Sequence, residues 1–247
     1  MSIGSPRDWR GLREVGRVTR QTLDALEQHV RAGVTTAELD GIAAQVLAKN
    51  QARSAPAMVY GFPGTVLISI NDEIVHGVPG PRCINRGDLV KLDVTVEKDG
   101  YVADAARTVV VEGAPESAHR LADCVDSALQ AALAVARAGV LVNEIGRAVS
   151  REVRRCGFFV IRGLTGHGVG RTIHEDPPVP NDYDPWQRDV LTEGLVLTIE
   201  PMISAGSRLS QQDRDGWTIR TRDGSLAAHA EHTVVITKRK PIILTAA

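Results

Sequence analysis

Apolar residues at Trp9, Leu12, Val15, Val18, Leu23, Leu26 and Val30 recur mostly three or four positions apart, the spacing of one buried helix face. This pattern predicts an amphipathic helix over 9–32, stopped at Gly33. Thr35-Thr36-Ala37-Glu38 has capping-box spacing and launches a second helix that runs to about Asn50. The same grammar returns later in the chain. A helix over Glu116–Ala138 runs into Arg137-Ala138-Gly139-Val140, an echo of Arg31-Ala32-Gly33-Val34, and Glu144-Ile145 repeat Glu38-Leu39 at the same offset. Each helix pair is followed by β-rich sequence, over 56–112 and 158–237. That order predicts a mixed α/β (α+β) chain of two similar helix-helix-strand halves. No Ser/Pro-rich linker divides them, so one fused domain is expected.

The chain has 247 residues, 43% hydrophobic and 24% charged, enough to bury a substantial core. With 29 Lys+Arg against 30 Asp+Glu it presents no basic field for nucleic acid and no acidic tail. Aromatic residues, at 4%, leave no stacking platform for bases. No run approaches the roughly 18 apolar residues of a membrane span, and the stretch through Val15 lacks the apolar centre of a secretory signal. Cys83, Cys124 and Cys156 are widely spaced, with no C-x-x-C pair. A reducing cytoplasm is the expected setting. Cys83 follows a Pro-Gly-Pro-Arg loop and reads either as a reactive thiol or as a small apolar group.

The most informative segment runs Asp88-Leu89-Val90-Lys91-Leu92-Asp93-Val94-Thr95-Val96, then Lys98-Asp99-Gly100-Tyr101-Val102-Ala103-Asp104. Asp-Gly between two β-branched runs signals a tight hairpin. With Asp99-Gly100 as its turn, Lys98 pairs with Tyr101 and Thr95 with Asp104, which makes Asp93 the diagonal neighbour of Asp104. Diagonal neighbours share a sheet face, about 7–8 Å apart. A slip of one residue would separate the two acids onto opposite faces. Two acids in a buried hairpin demand a partner or a metal; the alternative is one paired acid and one that faces solvent.

Other acids and a histidine stand in similarly unusual contexts. His167 sits within Gly166-His167-Gly168-Val169-Gly170, where glycines would let a bulky ligand approach, although a flexible loop or a phosphate cradle has the same composition. Glu200 ends the apolar run Leu195–Ile199, and Glu231 begins the run through Ile236. If Asp93, Asp104, His167, Glu200 and Glu231 converge, two divalent cations would balance the four carboxylates. Oxygen-rich ligation with one imidazole suits ions such as Mn²⁺, Fe²⁺ or Co²⁺.

In this order, the motifs resemble the type I methionine aminopeptidases. The matching stretches are Ser69–Pro79 with His76, the Asp93/Asp104 hairpin, Gly166–Gly170, His174-Glu175, Thr198–Met202, Asp215–Thr218 and Glu231–Thr233, spread over residues 9 to about 240. The resemblance implies a pita-bread fold, a pseudo-twofold pair of halves around a dinuclear metal site. It places a single catalytic domain over 9–247 behind a short lead, 1–8, without a zinc-finger or proline-motif extension. It implies that Asp93 binds one metal, that Asp104 and Glu231 bridge both, and that His167 and Glu200 complete the second. The ions would be Co, Mn, Fe, Ni or Zn.

The implied activity is hydrolysis of the initiator methionine from nascent proteins and peptides by metal-activated water. Glu200 would shuttle the proton, His174 would stabilise the oxyanion, and His76 would assist at the amide nitrogen. Val59, Phe62, Leu67, Ile173 and Trp217 match the methionine pocket, with His76 and His174 at its reactive end. Val59 and Ile173 replace aromatics and Leu67 replaces a frequent Cys. His229 and Ala230 stand where the family usually has Gln and Phe. His29, His119 and His232 read as structural. The expected partners are N-terminal methionine peptides, with the ribosome a further candidate; no membrane or nucleic acid is expected, and the chain is expected to be a monomer. An Xaa-Pro aminopeptidase or prolidase shares the fold and ligand set, but usually has Gly-x-Tyr where this chain continues Met202-Ile203-Ser204, and carries a large N-terminal domain. A non-catalytic binding protein of the same fold should have lost ligands.

Overall fold

The computed structural model describes residues 1–246. Helix α1 spans Pro6–Glu27, earlier at both ends than the expected 9–32. Ser5 caps it by accepting from the Asp8 amide, and Pro6 suits the first turn, so the helix starts before its first large apolar residue. The boundary of the lead expected over 1–8 therefore falls inside α1. The residues ahead of it are also tied down: Ser2 bridges Leu195, and the Ile3 amide donates to the Gly194 carbonyl. Beyond Glu27 the chain offers mostly exposed polar side chains. It closes in turns that still tuck Val30 against the core.

Helix α2 spans Thr36–Lys49 with the capping box formed: Thr35 accepts from the Glu38 amide and Glu38 accepts from the Thr35 amide. The short α3, Ala55–Tyr60, ends at Gly61 in the left-handed region. Helix α4, Glu116–Val135, stops before the expected Ala138 because the next backbone donors are captured elsewhere, Ala138 by the Thr237 carbonyl and Gly139 by Leu191. Helix α5, Asn143–Arg155, starts without the side-chain cap that α2 has.

The repeat read from the sequence is present in the backbone. The Gly33 amide donates to Ile84, which returns a bond to Val34; Gly139 and Val140 make the same pair of bonds with Leu191. Both glycines hold the same left-handed conformation, with φ of 90° and 87°. The bridge Thr35–Cys83 has its counterpart in Leu141–Val190.

The first sheet is built on the hairpin of strands Leu89–Lys98 and Tyr101–Val110, paired as the turn dictates, with Lys98 opposite Tyr101 and Thr95 opposite Asp104. Strand Leu67–Ile70 flanks it, with Leu67 opposite Asp93. The second sheet orders its strands Ile242–Ile243, His232–Val235, Val196–Ile199, Thr165–Gly168 and Glu175–Pro180. Helices α1 and α2 pack their apolar faces on the first sheet, and α4 and α5 on the second, giving two large cores beside a smaller cluster around Ile74, Ile161 and Met202. The sheets meet where Ala106 and Glu231 exchange backbone hydrogen bonds and the Thr233 hydroxyl donates to the Asp104 carbonyl. That seam lies at the sheets' inner faces, away from the helices.

The capping box sets the start of α2. Thr35→Ala should lower stability by about 1 kcal/mol, read as a lower denaturant midpoint at unchanged slope; a shift of a few tenths or less would show that tertiary packing alone places the helix.

Candidate metal centre

Five side chains foreseen as ligands line one cavity of about 430 Å³ at the seam. Asp93 and Asp104 come from the two hairpin strands and face the same way, as their register requires. His167 lies on strand Thr165–Gly168, Glu200 directly follows Val196–Ile199, and Glu231 directly precedes His232–Val235. Donor atoms of Asp104, His167 and Glu231 fall within 4.8 Å of one another. The His167 Nε2 lies 3.4 Å from Glu200 Oε1.

His167 and Glu200 are held by hydrogen bonds to their surroundings. The His167 Nδ1 lies 2.9 Å from the Gly168 carbonyl, which leaves Nε2 to face the acids. Thr198 joins two of the group: its hydroxyl accepts from the His167 amide at 3.0 Å and donates to Glu200 Oε1 at 2.7 Å. The glycines around His167 serve neighbouring backbone, where the sequence had pointed to an approaching ligand. A Cβ at Gly166 would stand 2.7 Å from the Thr198 carbonyl, and one at Gly168 would collide with the Asp176 carbonyl.

Burial raises all four carboxyls above their ordinary range. Asp93 is pushed up first by burial and then by the charges of Asp104 and Glu200; burial lifts Asp104 to about 6 against the bond it accepts from Thr95. Glu200 is raised by burial against the Thr198 bond, and Glu231 by burial and the other three acids. Burial lowers the imidazoles, His167 to about 4 with help from His174, and His229 to about 3 with help from His76 and Lys91.

The donor set meets the needs of divalent cations. Asp93 Oδ1, Asp104 Oδ1 and Glu231 Oε1 are sealed from solvent with no hydrogen-bond partner among the described residues. Buried polar atoms are ordinarily partnered, and three orphaned carboxylate oxygens beside a free imidazole nitrogen form a cation cradle.

The outer residues divide differently. His76 and His174 line the cavity and are exposed at its rim. His76 has φ of 60°, an uncommon conformation for a residue with a side chain. Partial burial and His174 hold its pKa below the usual value, and partial burial does the same for His174. Phe62, Leu67, Ile173 and Trp217 also line the cavity; the Phe62 and Trp217 rings meet edge-on, 5.2 Å apart.

Val59 does not belong to the wall. It is 54% exposed on the outside of α3, and the next residue, Tyr60, lines the cavity instead. The left-handed turn at Gly61 directs Tyr60 inward, placing its hydroxyl 2.6 Å from His174 Nδ1. Tyr60 and Thr198 were not foreseen as site residues: Thr198 lies in the Thr198–Met202 motif without an assigned role, and an aromatic beside Gly61 was the available signal for Tyr60.

The chain matches the model of metallopeptidase family M24 over residues 10–238. It is 40% identical over 247 residues to a protein named methionine aminopeptidase 2 of Bacillus subtilis (strain 168), covering 99% of each chain. A solved methionine aminopeptidase from Thermotoga maritima superposes with a TM-score of 0.96 at 32% identity, and one from Rickettsia prowazekii with 0.95 at 34%, both over the whole of each chain. These are pita-bread structures, so the mixed α/β halves around a central seam are that fold.

Because burial lifts Asp104 to about 6, it holds a proton part of the time at that pH and a cation must displace it, whereas His167, lowered to about 4, is already neutral there. Titrating divalent metal into chelator-treated protein should therefore release protons at about pH 6, less as the pH rises; calorimetry in buffers of different ionisation enthalpy measures this, and no release at the lower pH would contradict the assigned protonation. Sequence, superposition and site geometry agree: the chain belongs to metallopeptidase family M24, in its methionine aminopeptidase branch.

Proposed function

We propose that this chain removes the N-terminal methionine from peptides and nascent proteins, using two divalent cations held by Asp93, Asp104, His167, Glu200 and Glu231. The observation that carries the reading is the meeting of these five side chains at one end of a cavity with apolar walls. Asp93 is assigned to one ion, Asp104 and Glu231 to both, and His167 and Glu200 to the other. Bound there, such ions would acidify a water molecule and polarise a peptide carbonyl. Co, Mn, Fe, Ni and Zn all suit the donors.

The protein's own groups supply the remaining work. Phe62, Leu67, Ile173, Trp217 and the buried Met202 form a slot for an unbranched thioether side chain. The Thr198 hydroxyl donates to one oxygen of the Glu200 carboxylate and fixes it, and burial raises that carboxylate's affinity for a proton. Glu200 is thus placed to accept a proton from water and return it to the leaving amine. The Tyr60 hydroxyl lies 2.6 Å from His174 Nδ1; we assign the hydroxyl as the donor, which places the His174 proton on Nε2, available to the oxygen that develops charge. His76, which also lines the cavity, is assigned to the scissile amide nitrogen. Three free thiols accord with action in the cytoplasm, where nascent chains and the ribosome are the partners and a monomer suffices.

The test pairs a Met-Ala peptide with an Ala-Pro peptide, each with and without chelator. The expected result is chelator-sensitive cleavage of the first and little of the second. Preferential cleavage of the Ala-Pro peptide would establish a prolidase-type activity instead, and chelator-insensitive cleavage of Met-Ala would end the metal mechanism.

A further inference from the structure

His229 closes the short strand Ala227–His229 and is 1% exposed. Its backbone is locked on both sides by Thr108, whose hydroxyl accepts from the His229 amide at 2.9 Å and donates to its carbonyl at 2.7 Å. The ring is thereby aimed into the cavity it lines. Its Nε2 stands 3.9 Å from Glu200 Oε2 and 3.8 Å from Glu231 Oε2. Neither ring nitrogen has a hydrogen-bond partner among the described residues.

Both separations exceed the reach of an N–H···O bond, about 3.2 Å. Two bonds of about 2.0–2.2 Å to a common ion span at most about 4.4 Å, so a cation closes gaps that a hydrogen bond leaves open. Glu200, His229 and Glu231 each offer a donor atom, all within 4.8 Å of one another. The arrangement around Glu200 is two-sided, with His167 Nε2 beside Oε1 and His229 Nε2 beside Oε2.

We propose that His229 Nε2 is a further ligand of the cation held at Glu200 and Glu231, so that two imidazoles, His167 and His229, serve the centre. This rests on the metallopeptidase reading above and extends its ligand set. A second nitrogen donor shifts the centre's preference toward Zn²⁺, Co²⁺ and Ni²⁺, for which imidazole is a good ligand, and away from Mn²⁺, which suits carboxylate and water. His229 is thus a determinant of which ion the protein selects.

The test is X-ray absorption of the full chain loaded with Zn²⁺ or Co²⁺, together with competition titrations of Zn²⁺, Co²⁺ and Mn²⁺, on the wild type and His229→Gln. Imidazole scattering should fall in the variant, with affinity for Zn²⁺ and Co²⁺ lower by about 10–100-fold and that for Mn²⁺ reduced less. Imidazole scattering that is the same in both proteins would overturn the proposal. Should the variant fail to fold by circular dichroism, the wild-type spectrum decides, two imidazoles in support and one against. A single imidazole in an enzyme that still cleaves Met-Ala would remove only the His229 assignment; a wild type that binds no divalent cation would remove the metallopeptidase mechanism as well.

Discussion

Four carboxyl groups share one buried cavity, and that repulsion governs the rest of the molecule. Two like charges about 4 Å apart repel by about 4 kcal/mol at an effective dielectric constant near 20, and burial adds to the cost of each charge. The raised pKa values of Asp93, Asp104, Glu200 and Glu231 express this cost. Left alone, such groups would take up protons or move apart. The backbone prevents separation: Ala106 and Glu231 are hydrogen-bonded across the seam, and Thr233 grips Asp104 on both its amide and its carbonyl. A scaffold that stiff, around a cluster that unfavourable, is organised for cations.

The two halves of the repeat divide the work. The first half contributes the hairpin with Asp93 and Asp104, and the second contributes His167, Glu200 and Glu231 from strand ends. Helices α1, α2, α4 and α5 lie on the outer faces, where they stiffen the sheets and touch none of the chemistry. The groups proposed to meet a substrate come from less regular backbone: Tyr60 at the end of α3, His76 past a short strand, His174 before another, and Trp217 in a loop. Rigid ligands and loop-borne recognition are in this way separated.

Features governed by neighbours in sequence could be read in advance. The Asp99-Gly100 turn, with both residues at positive φ, sets the hairpin register and therefore the shared face of Asp93 and Asp104. The Thr35 capping box and the Gly33/Gly139 repeat are equally local. Helix ends were less legible, because α4 is cut short by Thr237 and Leu191, partners distant in the sequence. The convergence of His167, Glu200 and Glu231 on the hairpin is a tertiary fact; only the resemblance to a known family supplied it beforehand. Val59 and Tyr60 show the finer limit, since a left-handed residue at Gly61 decides which of two adjacent side chains enters the cavity. For the same reason the isolation of the His229 ring was invisible: a missing partner can be recognised only when all neighbours are in place.

The central claim is that divalent cations hold the four carboxylates together. Anomalous diffraction from crystals grown with Co²⁺ or Mn²⁺, collected on both sides of the metal absorption edge, addresses it directly. The account predicts two anomalous peaks inside the cavity, one in contact with Asp93 and the other with His167 and Glu200, with Asp104 and Glu231 touching both. A cavity without anomalous density at saturating metal, or ions bound only on the outer surface, would contradict it.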